Sequence, residues 1–553
     1  MNISDAQHNL CNNGELCVSI KSGSDVIIGQ VCYLKVILSA DQPILEKISH
    51  ILIKDGTNSI QAINIDDWRI NSDKTCGYAT FQLQINHQLI ADVPVNYTVH
   101  AVSLSGKDVQ EITPKQVSYT AKKIASDSHI HLDYDKNYLI TPITENSTKD
   151  PHNEYVVISS IIKDNKGNLL KNVGVTISAM SNKAINQVIF TTDGELPEEI
   201  PVETVKETQF ITVYSDLNGN IKFRIYPKKD TAVRLELMTA ILGVTRFTLE
   251  YALYIVTPSN GIGTLGYPII RELDSDNCIR QNLRSSSKSF HVKIPKYSNY
   301  QDGDAILFFV QKKIGDKPTL LQPISTFQSE DSVGKRIFSF PYNSFPLKEE
   351  VGFYYVISPV DGQINYSYPI SVTYLGGEEK NPKEQIYRQY DKVRVYDSTV
   401  DLPIDLSSNE SLVDEYTPVN TASISFQKDY EHVDINKAVG LYVIVPASKY
   451  PNNKSLPTVG QSGGVDLYYT SDTRNNQKFY KFNLEKEGGN IVPIPYCALS
   501  RATNYNGEYG ELFFDYYIDD GNGTKTYSHI WVAAIGTETN MRDDNLEGCS
   551  PDA

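Results

Sequence analysis

The sequence predicts an all-β chain in which tandem β-sandwich domains precede a larger β-rich C-terminal domain. Three observations lead there. Apolar residues recur at period two, turn-forming Asp, Asn and Gly residues interrupt them at short intervals, and tyrosine is heavily used, with 36 copies against four methionines and two tryptophans. Tyrosine and β-branched residues pack well on a pleated, half-buried surface and so favour strands.

The alternation is plain in several places. Phe81, Leu83 and Ile85 interleave with Gln82 and Gln84, and Ile221, Phe223 and Ile225 interleave with Lys222 and Arg224. Phe290, Val292 and Ile294 repeat the pattern, as do Tyr480, Phe482 and Leu484. Successive strand side chains point to opposite faces, so each run reads as a half-buried strand of an antiparallel sheet. No segment shows the 3.6-residue spacing of a long amphipathic helix. Between the runs lie "DNKGN", "DLNGN", "VDGQ" and "DDGNGT", whose residues supply positive φ and side-chain turn bonds.

At 553 residues the chain is too long for one core. Composition shifts near residues 119–128, 256–264 and 376–385 divide it into 1–120, 121–258, 259–377 and 378–553. The first three pieces have the size of immunoglobulin-like sandwiches.

The second piece carries the most specific text. "KDNKGNLLKNVGVTISA" places Asp164, Gly167 and Asn168 at a turn and Val173, Val175 and Ile177 on one strand face; "SDLNGN" later places Ser215, Asp216 and Gly219 at a hairpin. Glycine tolerates the positive φ such turns need, and an aspartate oxygen can cap them. Over residues 154–256 this pattern resembles the bacterial Ig-like domain family 1, the repeat of intimin and invasin-type adhesins. The resemblance implies an Ig-like sandwich and a part in adhesion. Gly303 and Asp304 stand where Ig-like modules of large bacterial proteins place a Gly-Asp turn before a central apolar strand. Residues 193–208 depart from the family pattern as a Pro- and Glu-rich insertion, expected to be an exposed loop.

A net charge of −16 repels a polyanion, and the sequence contains no basic stripe, so nucleic acid is not an expected partner. The uncharged run 237–245 is too short to cross a bilayer, and membrane insertion is not expected. The N-terminus lacks the basic and apolar regions of a secretory signal, which leads to the expectation of a protein made in the bacterial cytoplasm and released without a cleaved signal. Seven scattered cysteines, an odd number with no CxxC pair, argue against a disulfide framework or a structural zinc site; one bridge among the four N-terminal cysteines, Cys11, Cys17, Cys32 and Cys76, is left open, since Cys32 and Cys76 both lie in strand-like sequence.

Four features of the sequence bear on chemistry. In "DSHIHLDYD", His129, His131 and Asp133 share one strand face, a geometry that could grip a metal ion, against the plainer reading of a solvated outer face. "GQSGG" around Ser462 fits G-x-S-x-G formally, but the strand-like "VDLYYTS" follows where a hydrolase needs a helix, so it reads as a glycine-rich loop. The Asp-Asn-Gly turns offer oxygens to calcium without EF-hand spacing, so no cofactor is expected beyond optional calcium. "DYEHVD", with Asp429, Glu431, His432 and Asp434, reads as an exposed strand or turn.

The last piece concentrates aromatic residues. Alternation puts Phe513 and Asp515 on one strand face and Phe514 and Tyr516 on the other, so most rings read as core. Tyr505, Tyr509, Asp519 and Trp531 are the candidate ligand-binding residues, since exposed rings beside polar residues suit a carbohydrate or protein surface. The expected function is non-enzymatic: an adhesin-like or toxin-associated bacterial binder whose sandwiches act as spacers and whose C-terminal domain meets a host-surface glycan or protein. The competing readings are a structural component of a secreted or injected assembly and an enzyme with a β-rich head. Oligomeric state is left open.

Overall fold

A computed structural model describes residues 12–537 and Cys549, apart from positions 126–128, 143, 149, 151–152, 206, 275, 283–287, 362, 378–380, 384–385, 416, 430–432 and 505–508. Among the described residues the α-helices are single turns, such as Gln42–Leu45 and Tyr496–Leu499, and all other regular structure is strand or short 3₁₀ turn. No helix is long and apolar enough to cross a membrane. The chain is all-β, as its alternation predicts.

Residues 1–258 with 361–364 form one compact unit, and residues 259–360 with 365–553 form another. In the first unit, a four-stranded sheet built around Val31–Ser39 and Cys76–Ile85 packs on one built around Pro94–Ser103 and Lys115–Lys122. Leu34, Val36 and Leu38 meet Val95, Tyr97 and Tyr119 in the core between them. The two tyrosines stay satisfied there: their hydroxyls lie 2.7 Å apart, and that of Tyr119 donates to the Ile20 carbonyl at 3.1 Å. A second sandwich pairs a six-stranded sheet containing Gly174–Ala179 with a four-stranded sheet containing Asn220–Pro227. Val173, Val175 and Ile177 lie fully buried in its core, opposite Ile221, Phe223 and Ile225.

The second unit repeats the plan. An aromatic core of Phe290, Phe308, Phe340 and Phe353 joins a three-stranded to a six-stranded sheet. The C-terminal part is itself a sandwich, of a seven-stranded sheet centred on Ser462–Thr470 and Gly510–Asp519 and a four-stranded sheet centred on Val439–Val445. Each of the four sandwiches contains a parallel pairing between an early and a late strand: Asp25–Ile27 with Lys115–Lys122, Tyr138–Ile140 with Thr248–Val256, Cys278–Gln281 with Ile370–Gly377, and Arg388–Tyr390 with Lys525–Ser528; the C-terminal sandwich adds a second, Val419–Asn420 with Trp531–Gly536. An early strand that crosses to pair with a late one brings the two ends of each domain together, as in immunoglobulin-like sandwiches.

The turns behave as read. Asp164 Oδ1 accepts from the backbone N–H groups of Lys166 and Asn168, each at 2.8 Å, and Asp216 Oδ1 does the same for Asn218 and Asn220. Gly167 and Gly219 have φ of 86° and 72°. Asp304 is fully buried and accepts from Tyr297 Oη and the N–H groups of Gln301 and Val360.

Three expectations are amended. The 193–208 insertion is mostly exposed between Gly194 and Pro201, as expected of a loop, but Asp193 is pinned by Lys222 and Arg224, each at 2.6 Å, and Glu203–Val205 adds an edge strand. Cys497 and Cys549 form a disulfide and Cys17 is disulfide-bonded, whereas Cys32 and Cys76 are free thiols. The Cys497–Cys549 bridge spans a sequence separation of 52, which no local spacing motif reveals. Of the glycines in "GQSGG", Gly460 lies in a turn, whereas Gly463 and Gly464 lie in the strand Ser462–Thr470, with Ser462 Oγ bonded to Asn483 Oδ1 at 2.9 Å.

Candidate functional site

The seven-stranded sheet has two faces of different character. Val465, Leu467, Tyr469, Leu512, Phe514, Tyr516 and Ile518 point inward to the core. The alternate residues of the same strands, Gly464, Asp466, Tyr468, Asp515 and Tyr517, form the outer face. Here two carboxylates stand opposite one another: Asp466 pairs directly with Asp515 across the antiparallel register of Ser462–Thr470 and Gly510–Asp519. Both are largely buried, at 8% and 1% exposure.

Like charges opposite each other on a sheet repel, and neighbours divide the load unequally. Asp515 Oδ2 accepts from Arg388 Nη1 at 2.8 Å, and Arg388 is anchored in turn by the carbonyls of Ser528 and Lys383. Asp466 Oδ1 accepts from the neutral Gln477 amide at 2.8 Å. Asp515 Oδ1 and Arg388 Nε are buried with no hydrogen-bond partner. Burial pushes the Asp515 carboxyl up to about 6 despite the Arg388 hydrogen bond, and the Asp466 charge adds to the rise. Burial raises Asp466 too, against the Gln477 hydrogen bond and the positive charge of Lys525.

A shelf of rings borders this pair. Phe479 is 42% exposed and stacks on Tyr517 with centroids 5.8 Å apart and planes 8° from parallel. Tyr527 follows, 5.6 Å from Tyr517. One glycine makes the shelf possible. A Cβ on Gly464 would lie 1.8 Å from Phe479 Cε2. The ring therefore lies flat over bare backbone. The Lys525 ammonium sits 3.7 Å from the Tyr517 centroid, a cation–π contact. Flat rings beside buried negative charge can bind an apolar body carrying a positive tip.

The residues singled out from sequence lie elsewhere. Tyr505 falls outside the described residues. Tyr509 is 56% exposed and covers Gly536. Asp519 is exposed and accepts from the Gly521 N–H at 2.9 Å, closing its own turn. Tyr509 and Asp519 flank opposite ends of one ten-residue strand, about 30 Å apart at the usual rise per residue. Trp531 is corrected outright: it is 4% exposed and packs on Phe514 in the core, where no partner reaches it.

The metal reading of His129, His131 and Asp133 is corrected as well. Among the described residues no group of three or more His, Cys, Asp or Glu is arranged to hold a metal ion. The shared face is real, but residues two apart on an extended strand project side by side instead of converging. His129 Nδ1 lies 3.2 Å from Thr248 Oγ1, and His131 Nδ1 lies 4.0 Å from Glu250 Oε1. In "DYEHVD", Asp434 Oδ1 accepts from the Asn436 N–H in a turn, while Glu431 and His432 lie outside the described residues.

Asp466 and Asp515 were missed as a pair. Their signal is present in "GGVDLYY" and "LFFDYY", where one aspartate interrupts each apolar run.

No protein-family model and no curated protein sequence matches the chain. Solved structures that match include the D00-D0 domain of intimin, at 12% identity and TM-score 0.16, covering 44% of this chain and 99% of that one. A 282-residue C-terminal fragment of intimin in complex with the intimin-binding domain of the translocated intimin receptor matches at 10% identity and TM-score 0.16, over 44% of this chain and 64% of that one. The FN1–FN3 domains of chicken CNTN1 match at 6% identity and TM-score 0.18, over 73% and 98%. Likeness this slight says nothing of what the chain binds, and the sandwich fold rests on the chain's own sheets and cores.

Proposed function

We propose that the chain is a non-enzymatic, adhesin-like binding protein, with the outer face of its C-terminal sheet as the recognition surface and the preceding sandwiches as spacers. The observation that carries this reading is the Asp466–Asp515 pair beside the Phe479, Tyr517 and Tyr527 rings. Burying two opposed carboxylates with a single guanidinium, paired with Asp515, is unfavourable for folding alone. Such an arrangement is readily explained by a partner that supplies the missing complement. Stacked, partly exposed rings provide contact area with little side-chain entropy to lose.

The partner class is a host-surface glycan or protein. The disulfides favour a protein that works in an oxidising setting outside the cytoplasm, since such bridges are rare in reducing compartments. The test is binding of labelled full chain to a glycan panel and to intact eukaryotic cells, with and without calcium, beside the double variant F479A/Y517A. Saturable binding of the wild type that falls at least about tenfold in the variant, a change of roughly 1.4 kcal/mol, supports the reading. Undiminished binding by a folded variant rejects the surface, and absence of any binding rejects the function.

A further inference from the structure

The recognition surface already holds one cation of its own. We propose that this surface binds a lysine side chain presented by a partner protein, and that Lys525 occupies the same place until the partner displaces it. This inference rests on the C-terminal face being the binding surface and adds the chemistry of its ligand.

The charge arithmetic on the face comes first. Asp466 and Asp515 contribute two negative charges when ionised, and Arg388 cancels one through its contact with Asp515. Among the described residues Asp466 has only the neutral Gln477 amide as a hydrogen-bonding neighbour, so one negative charge remains for a mobile cation. Asp515 Oδ1, on a side chain 1% exposed, has no donor, so the face is not electrostatically complete by itself.

The second observation is where the remaining cation sits. Lys525 begins the Lys525–Ser528 strand, just after the "DDGNG" turn, with its ammonium 3.7 Å from the Tyr517 centroid. It is exposed, and contact with Tyr517 and the charge of Asp466 favour its charged form. The rings of Phe479, Tyr517 and Tyr527 supply the apolar flank that a four-carbon stem needs, while the ammonium meets the ring face within the field of the Asp466 carboxylate. An exposed, flexible side chain at the edge of a turn can leave without disturbing the core. A guanidinium suits the site less, because Arg388 already holds the Tyr527 side, 6.0 Å from that ring. Lys525 is thus both a template for the ligand and its competitor.

The experiment titrates full-length chain with Nα-acetyl-lysine methylamide, following the Tyr and Phe signals by NMR, for the wild type and for K525A, K525A/F479A and K525A/D466N. Nα-acetyl-norleucine methylamide is the neutral control and glucosamine the control for an ammonium carried on a sugar. The inference expects K525A to bind the lysine probe at least about tenfold tighter than the wild type, because the internal competitor is gone. It expects both double variants to lose that gain and the norleucine probe not to bind. Thermal midpoints report folding, and F479A removes a partly exposed ring rather than a buried charge, so the test survives if D466N fails to fold.

Equal affinity of K525A and wild type overturns the displacement. Equal binding of glucosamine by K525A overturns the assignment to a lysine side chain. Lack of lysine-probe binding by K525A overturns the ligand chemistry, while cell binding lost in F479A/Y517A would still stand and keep the surface itself.

Discussion

Asp466 and Asp515 face each other across two antiparallel strands, yet only Asp515 has a guanidinium, and that carboxylate still leaves Oδ1 without a donor. The arrangement makes the C-terminal sheet sensitive both to loss of Arg388 and to pH. Replacing Arg388 by Met leaves Asp515 buried without its cation, a change expected to destabilise the second unit by about 3 kcal/mol at pH 8. The folded-state value of Asp515, about 6, lies above its ordinary 3.8. The folded chain therefore holds more protons across that window, and this group's contribution to stability falls as pH rises from about 4 to 6. Urea midpoints at pH 5 and pH 8 check both points. Arg388→Met should be less damaging at pH 5, and Asp515→Asn should flatten the slope.

A second prediction concerns the glycine beneath the shelf. Gly464→Val places its Cβ, and more, where Phe479 now lies. The ring must swing off Tyr517, and overpacking of this kind destabilises by about 1–3 kcal/mol. Near-UV circular dichroism should lose part of its tyrosine signal, with binding lost alongside. An unchanged spectrum and midpoint would show that the ring does not rest on Gly464.

The first unit has its own pH dependence. Burial pushes Glu203 up to about 7 from 4.5, against the opposing charge of Lys35 from the neighbouring sandwich. A carboxyl with a raised folded value stabilises less as pH climbs through that range. Glu203→Gln should therefore raise the unfolding midpoint of this unit at pH 8 and leave it nearly unchanged at pH 4. A lower midpoint for the variant at pH 8 would contradict the burial of that carboxyl.

The Cys497–Cys549 bridge closes a loop with a separation of 52, for which chain entropy gives about 4 kcal/mol of stabilisation. The paired variant C497A/C549A should unfold at correspondingly lower denaturant, and peptide mapping without reductant should find the two cysteines joined in the parent chain. Recovery of both as free thiols would remove the bridge and its support for the proposed oxidising setting.

Much of the fold was legible because period two is a direct imprint of a half-buried sheet. Val173, Val175 and Ile177 read as an inward face and are fully buried. Asp164 and Asp216 read as turn caps because that chemistry is complete within five residues. The site was harder for the opposite reason. The Asp466–Asp515 pairing depends on register between strands some fifty residues apart, and the disulfide on a similar separation. Trp531 was misplaced because aromatic richness does not say which face a ring takes, and the alternation of its short strand, Trp531–Gly536, buries it. The sandwich in the C-terminal part was obscured by long loops between strands that pair only in space.

The central claim is that the outer face of the C-terminal sheet does the binding. Its most direct test compares cell binding of the full chain with that of F479A/Y517A and of Tyr251→Ala, which removes a ring 83% exposed on the first unit. The account predicts binding lost in the double variant and retained in Tyr251→Ala, with all three chains folded. Retention by F479A/Y517A together with loss in Tyr251→Ala would contradict it and move the recognition surface to the first unit.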